Sequence, residues 1–572
     1  MASNFTFLKT EWLEIAESAR SAEKNARTDY ATACFHARRT LELAVNWIYD
    51  HDEELTAPYD DNLSSLIFAD DFRNNLNPAL FTKIDYIRKV GNQAVHGTRK
   101  INEHEAVRTV QELFHFLYWL ARTYTQGDVK QFDELKFDEK LVPLRQVSVS
   151  VNTYKKLKEI DERYKAEQEA EKLKKQQLTE KPDIDAELQR LRKQITAAKH
   201  KNQKYPDSHN YSEAETRKNI IDLMITEAGW KIGKDCTFEL EIKGMPNKEN
   251  IGFIDYVLWG SDGKPLAVIE AKRTAKGAEA GKQQAKLYAD CVEAEYGRRP
   301  VIFYTNGYEI FIWDDFKYPP RQIQGFYTKD ELELMIQRRQ TRKNLSAENI
   351  NEEIVNRHYQ KRAISRVAEN FQDNNARKSL IVMATGAGKT RTVIALCDLL
   401  LKANWAKRIL FLADRVALVK QACNAFKKHL PNANPVNLVT EKEETGSRVY
   451  VSTYPTMMGQ INQLEGDIRR FGVGYFDLIV IDEAHRSVYQ KYKAIFEYFD
   501  SYLVGLTATP KAEVDRNTYR LFDLQNGLPT DSYELDEAVK DGYLVPSINI
   551  SHATKFISEG IKYSDLSDEE KE

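Results

Sequence analysis

The chain has 572 residues, 42% of them hydrophobic and 30% charged, enough for roughly three or four domains at ordinary sizes. Its net charge of −3 excludes a global basic signature, so any contact with nucleic acid must come from local patches. Five scattered cysteines without a C-x-x-C pair argue against a disulfide framework or zinc site, and no apolar run approaches the length of a membrane span. Glu11 and Glu14 interrupt the start of the chain, which carries no apolar signal core. A cytoplasmic protein with reduced thiols and no membrane partner is expected.

Residues 1–150 predict a helical domain. Between Ala33 and Ile48, and again from Leu113 to Leu120, apolar residues recur at three- and four-residue spacing. Residues 151–205 change character: from Tyr154 to Lys204 there are 15 Lys and Arg against 10 Asp and Glu. This stretch predicts two charged helices joined at Pro182 and serving as a linker, solvated rather than DNA-binding.

Residues 206–345 predict mixed helix and strand. An amphipathic helix spans Glu213 to Ala228, and strands are expected at Gly252–Trp259, Leu266–Lys272, Val301–Tyr304 and Glu309–Trp313. Asp255 interrupts an apolar strand, a costly place for a carboxylate unless it is paired or binds a metal. Glu270 and Lys272 lie two apart on the next strand, hence on one face. Two carboxylates, Asp255 and Glu270, make a hard oxygen site for Mg2+, and Lys272 can stabilise charge developing on a scissile phosphate. The plainer alternative is a structural Glu–Lys pair at a strand edge. Lys276, Lys282 and Lys286 are further candidates for phosphate contact.

Residues 346–525 alternate short apolar strands with helices, which predicts a parallel sheet covered on both faces. The strand Ser379–Met383 feeds Ala384-Thr385-Gly386-Ala387-Gly388-Lys389-Thr390. A strand, a glycine-rich turn and a helix form the context of a phosphate-binding loop, here for ATP. Gly386 and Gly388 let backbone N–H groups curl around phosphates, Lys389 supplies a cation and Thr390 offers its hydroxyl to Mg2+. Met383 stands where the full motif has glycine. Asp482 ends the strand Leu478–Ile481 and is placed to hold Mg2+, while Glu483 can orient and deprotonate the attacking water.

Phosphate loop, Asp482-Glu483-Ala484-His485 and Thr507-Ala508-Thr509, in that order, resemble superfamily-two motors of the DEAH-box type over about residues 355–520. That resemblance implies that Gln360 reads adenine and that His485, Thr507 and Thr509 couple hydrolysis to movement. It also implies backbone contacts to nucleic acid from Asp414-Arg415 and Ser452-Thr453-Tyr454. The upstream region resembles the PD-(D/E)-x-K nuclease fold. Gln284 and Tyr288 match the Gln-x-x-x-Tyr element of its RecB-like branch, and Glu215 matches a helix acid near that branch's metal.

Nuclease followed by motor, with Glu215-Thr216-Arg217 upstream and Ala538 to Pro546 downstream, resembles the restriction (R) subunit of type I restriction–modification enzymes over about residues 205–550. The implied architecture is an all-α N-terminal domain, an α/β PD-(D/E)-x-K nuclease domain and an α/β RecA-like parallel-sheet motor domain. The implied activity is a type I site-specific deoxyribonuclease: ATP-dependent translocation on double-stranded DNA and Mg2+-dependent cleavage of unmethylated DNA. The implied partners are methyltransferase and specificity subunits. Residues 526–572 are expected to begin a second motor lobe that is otherwise missing, since no Gly-Arg-x-x-Arg pattern follows Thr509. The competing readings are a stand-alone helicase–nuclease of DNA repair or phage defence, and a non-enzymatic docking module. In the N-terminal domain, Arg88, Asn92 and His96 faintly resemble HEPN-type helical domains; capping and packing are the expected roles.

Overall fold

The computed structural model describes residues 3–58, 62–96, 101–133, 135–143, 160, 162–163, 182–205, 207, 214–271, 279–306, 309–441, 446–461, 463–465, 468–484, 486–509, 511, 513–514 and 516–546. Six helices open the chain: α1 (Leu13–Asn25), α2 (Tyr30–His51), α3 (Leu63–Phe68), α4 (Asp70–Asn74), α5 (Pro78–His96) and α6 (Glu103–Tyr124). Their apolar stripes meet in one core that includes Leu41, Ile87, Leu117 and Tyr124. Asp29 caps α2, and Asn102 with Glu105 forms a capping box on α6. Gly91 on α5 lies so close to Arg38 on α2 that a Cβ there would clash with the arginine side chain.

The charged stretch ends in α7 (Pro182–Asn202), which begins at Pro182; most of the helix expected before it lies outside the described residues. Its C-terminal half packs on the helical domain instead of lying in solvent. Lys199 is buried in an ion pair with Asp52 at 2.8 Å, and Asn202 donates to the carbonyls of Thr123 and Thr125. A lysine can be buried there because a carboxylate waits for it, a feature that charge counting does not reveal.

A six-stranded sheet follows α8 (Ala214–Glu227). Its strands are β1 (Cys236–Lys243), β2 (Ile251–Trp259), β3 (Pro265–Ala271), β4 (Val301–Thr305), β5 (Ile310–Trp313) and β6 (Arg321–Ile323), neighbouring one another in sequence order. All pairings are antiparallel except β3 with β4, which is parallel because α9 (Glu279–Tyr296) crosses between them. After α10 (Lys329–Thr341) and α11 (His358–Gln372) comes a seven-stranded sheet. It is built from β7 (Lys378–Met383), β8 (Ile409–Ala413), β9 (Val436–Asn437), β10 (Val449–Thr453), β13 (Leu478–Ile481), β14 (Tyr502–Thr507) and β15 (Asp531–Tyr533). A two-residue pair, β11 (Leu464–Glu465) with β12 (Ile468–Arg469), stands apart. The order is β15-β7-β14-β13-β8-β10-β9, and every pairing is parallel. The main helices around it are α12 (Lys389–Lys402), α13 (Val416–His429), α14 (Tyr454–Gln460), α15 (Arg486–Tyr498), α16 (Arg516–Leu521) and α17 (Leu535–Lys540).

One apolar cluster draws residues from both sheets, Ile269 and Phe303 from the first and Leu380 and Ile479 from the second. Within the stretch expected to begin a second lobe, residues 531–540 extend this sheet: β15 pairs with β7, and Ala538 of α17 is fully buried in the core that α11 and α12 share, while residues 547–572 lie outside the described residues. The physical reason is local. Asp531, itself buried, is matched by Arg362 at 3.1 Å and Arg366 at 3.0 Å from α11.

The three regions meet at Glu227, the last residue of α8. It accepts an ion pair from Lys89 of α5 at 3.4 Å and from Arg469 of β12 at 3.0 Å, with all three side chains nearly or fully buried. Arg73 of α4 also reaches Glu497 of α15 at 3.0 Å, and Asp70 pairs with Lys493.

Candidate functional site

The parallel sheet puts the ends of β7, β8, β10, β13 and β14 along one edge, where loops from distant parts of the sequence converge. β7 leads directly into the glycine-rich turn and α12. Gly386 (φ 85°) and Gly388 (φ 96°) both adopt left-handed backbone, which side-chain-bearing residues rarely take. At Gly388 a Cβ would also stand 2.6 Å from Nε2 of Gln360. Gln360 and its neighbour Tyr359 are buried. Tyr359 donates its hydroxyl to the carbonyl of Ala387 at 2.7 Å, and Gln360 makes a longer contact to the same oxygen at 3.4 Å. The predicted adenine reader therefore sits against the loop itself. Thr385 and Thr390 flank the turn on either side.

Lys389 Nζ lies 3.5 Å from Glu483 Oε1, across from the end of β13. Asp482 precedes it, and its carboxyl is pushed above its usual range by burial and by the Glu483 charge, with Lys389 pulling the other way. Glu483 takes a left-handed conformation (φ 54°). Such backbone strain in a residue with a side chain persists only where the surroundings over-determine it. The carbonyl of Asp482 accepts the Tyr454 hydroxyl at 2.9 Å, and Ala484 N–H donates to Leu506 O on β14. β14 ends in Thr507, whose hydroxyl oxygen accepts the Thr509 N–H at 3.1 Å. Loop, Asp482-Glu483 and Thr507–Thr509 are thus brought together. His485 lies outside the described residues.

Of the other backbone-contact candidates, Asp414 and Arg415 are exposed. Ser452 and Tyr454 are buried and bond internally, and Thr453 caps α14, so these three are structural in this arrangement. Three neighbours of the loop were not singled out from sequence as site residues. Tyr359 stacks on Tyr533 with centroids 3.7 Å apart, and Tyr543 lies under the Arg357 guanidinium at 4.7 Å. Leu544 stands 3.2 Å from where a Cβ on Gly386 would be. An aromatic residue one position from Gln360 was the available signal for Tyr359; Tyr543 and Leu544 become neighbours only because β15 joins the sheet edge.

In the mixed sheet, β2 and β3 pair Tyr256 with Ile269 and Val257 with Val268. One step further along that register Asp255 lies opposite Glu270. The β1–β2 ladder keeps one register on either side of Glu239, which takes φ 52°, and burial along β2 still alternates there, with Ile254 and Tyr256 buried and Asp255 partly exposed. Asp255 Oδ2 accepts the Ala271 N–H at 2.6 Å, which draws its carboxylate toward the end of β3 beside Glu270. Glu270 is only 4% exposed. On the facing helix α9, Gln284 Nε2 donates to the Tyr288 hydroxyl at 2.9 Å, and Tyr288 packs in the same cluster as Val268 and Tyr304. Lys282 and Lys286 lie over the Trp313 ring at 5.5 and 5.9 Å. Lys272 and Lys276 lie outside the described residues. Glu215 lies on α8, with its side chain outside the described set. Among the described residues no group of three or more His, Cys, Asp or Glu side chains forms a metal cluster. Two neighbouring carboxylates at a strand end nevertheless fit a hard divalent cation whose remaining positions go to water and phosphate.

Arg88 is buried in an ion pair with Asp85 at 2.6 Å, the packing role expected for it; the His96 side chain lies outside the described residues. Among the described residues no helix is long and apolar enough to cross a membrane.

This is a chain with a helical N-terminal region, a mixed α/β sheet and a helicase-like parallel α/β sheet. Residues 212–328 match the family described as type I restriction enzyme R protein N terminus, and residues 353–512 match that described as type III restriction enzyme, res subunit. Residues 20–163 match a domain of unknown function. The chain is 30% identical to the type I restriction enzyme EcoAI endonuclease subunit of Escherichia coli, over 59% of this chain and 43% of that protein. It is 28% identical to the EcoKI endonuclease subunit of E. coli K12, over 62% of this chain and 37% of that protein. A fragment assigned as an HsdR subunit from Vibrio vulnificus YJ016 aligns over 57% of this chain and 60% of its own at 27% identity, with a TM-score of 0.27. The chain is accordingly HsdR-like, a homologue of type I restriction enzyme R subunits. It spans less than half the length of these two curated relatives.

Proposed function

We propose that this chain acts as the motor and nuclease component of a type I restriction–modification system. It would draw double-stranded DNA past itself with ATP and cut unmethylated DNA, working with methyltransferase and specificity subunits in the cytoplasm. The six-stranded sheet is read as the PD-(D/E)-x-K nuclease and the seven-stranded sheet as the first RecA-like motor lobe. The observation that carries the reading is the meeting of Lys389 with Glu483 beside a loop whose two glycines are left-handed.

In this reading the loop N–H groups from Thr385 to Thr390 and the start of α12 hold the phosphate chain, and Lys389 leaves Glu483 to neutralise the outer phosphate. Glu483, released, accepts a proton from the attacking water. Thr390 and Asp482 are the residues that would hold Mg2+ at this site. Gln360 and Tyr359 fix the loop from the adenine side. Thr507 and Thr509 couple the end of β14 to the same edge.

At the second site Asp255 and Glu270 would hold Mg2+, which when bound supplies Lewis-acid polarisation of the scissile phosphate. Asp255 is kept in place by the Ala271 N–H. Lys272 stabilises developing negative charge, and Gln284 and Tyr288 orient the site from α9.

The test is reconstitution of the chain with methyltransferase and specificity subunits on unmethylated and methylated plasmid. ATP-dependent cutting of the unmethylated plasmid alone is expected. Cutting that ignores both ATP and methylation would overturn the reading.

A further inference from the structure

A cavity of about 280 Å³ lies at the seam between the two sheets, away from both candidate sites. From the first sheet's side it is lined by Lys317, Tyr318, Arg321, Arg338 and Arg342, and from the second by Arg377, Trp405 and Tyr502, among others. Most lining cations are matched by acids. Arg321 and Arg377 share Asp500, at 2.7 and 2.9 Å, Arg338 pairs with Asp477, and Arg339 pairs with Asp314 at 2.7 Å.

Lys317 and Arg342 are different. Neither makes an ion pair among the described residues. Both instead lie over the Trp405 ring, Lys317 at 4.2 Å and Arg342 at 5.0 Å. Three lining guanidinium groups also keep a buried N–H with no acceptor: Nε of Arg342, Nη1 of Arg321 and Nε of Arg338. Buried donors are almost always satisfied, and two cations held together over one ring repel unless something negative joins them.

We propose that this seam cavity binds a small free phosphate-bearing anion, held by Lys317 and Arg342 above Trp405 and by the spare arginine N–H groups. Phosphate suits the arrangement because its several oxygens accept from forked guanidinium donors and an ammonium at once. The volume is at the small end for ligand sites and suits a pyrophosphate or a compact phosphorylated metabolite better than duplex DNA. Burial and the Arg342 charge pull the Lys317 ammonium down to about 8, the direction that an incoming anion would reverse. The acid nearest in character, Glu331, has its carboxyl raised to about 7 by burial and so opposes an anion weakly below neutrality. Because the cations come from one sheet and Trp405 from the other, occupancy would fasten the seam.

The test uses inorganic pyrophosphate, titrated by calorimetry without added metal into the intact chain, its Lys389→Ala variant, and the Arg342→Gln and Lys317→Gln variants. A binding event that survives Lys389→Ala and weakens about tenfold or more in both cavity variants is expected. Unchanged binding in Arg342→Gln and Lys317→Gln, or loss of all binding in Lys389→Ala, overturns the proposal. So does a result in which the cavity variants lose affinity for a short DNA duplex but not for pyrophosphate. Lys317 is partly exposed, so its variant keeps the test open if Arg342→Gln fails to fold.

Discussion

The two sheets solve the placing of charged groups in opposite ways. In the seven-stranded sheet every strand runs the same way, so loops at the ends of β7, β13 and β14 converge, and residues far apart in sequence, such as Lys389 and Glu483, touch. In the mixed sheet only two adjacent strands meet at the candidate site, and Asp255 is held there by one N–H from Ala271. The first arrangement is built by topology and the second by a detail of one ladder. The first should therefore tolerate small shifts of backbone better than the second.

The largest effect is expected where the regions join. Glu227→Ala leaves Lys89 and Arg469 buried without their shared carboxylate and should cost about 3–5 kcal/mol. Chemical denaturation of the variant checks this, and a loss below about 1 kcal/mol would show that the junction is not a common support. Next, Lys389→Ala should lower ATP turnover by about 10²–10³-fold, the scale of losing one charge-stabilising group, while folding is kept. Asp255→Asn should lower DNA cutting by about 10²-fold with ATP turnover retained. Because the proposed cutting depends on ATP, Lys389→Ala should lower both activities; if ATP turnover also falls in Asp255→Asn, the two sheets do not work as separate sites. Gel assays of cleavage beside phosphate-release assays separate the cases.

The smallest effect concerns pH. Burial raises the Glu331 carboxyl from 4.5 to about 7, so the folded chain binds a proton that the unfolded chain releases. That contribution to stability is fully present below about pH 4.5 and is lost as pH rises through about 7. Glu331→Gln should flatten the decline in melting temperature between pH 5 and 8. An unchanged slope would remove Glu331 as its source.

Much of this was legible because the relevant signals are local. The strands Ile409–Ala413 and Leu478–Ile481 are uninterrupted apolar runs, and the phosphate loop is a contiguous motif. β1 was not legible: its pattern Thr-Phe-Glu-Leu-Glu-Ile-Lys exposes Phe238 and buries little, as befits an edge strand. β15 was hidden for another reason, since its Asp531 is buried only by virtue of arginines on α11. The burial of Lys199 and the junction at Glu227 likewise depend on partners remote in sequence. Spacing points to Asp255 and Glu270, but the hydrogen bond that holds the Asp255 carboxylate at the Ala271 N–H is a property of the folded sheet.

Leu544 beside Gly386 carries a kinetic consequence. Its side chain rests 3.2 Å from where a Cβ on Gly386 would stand, so phosphates that reach Gly386 from that side would have to displace it. In rapid-mixing experiments the observed association rate should then level off at high nucleotide concentration, and Leu544→Ala should restore a straight line.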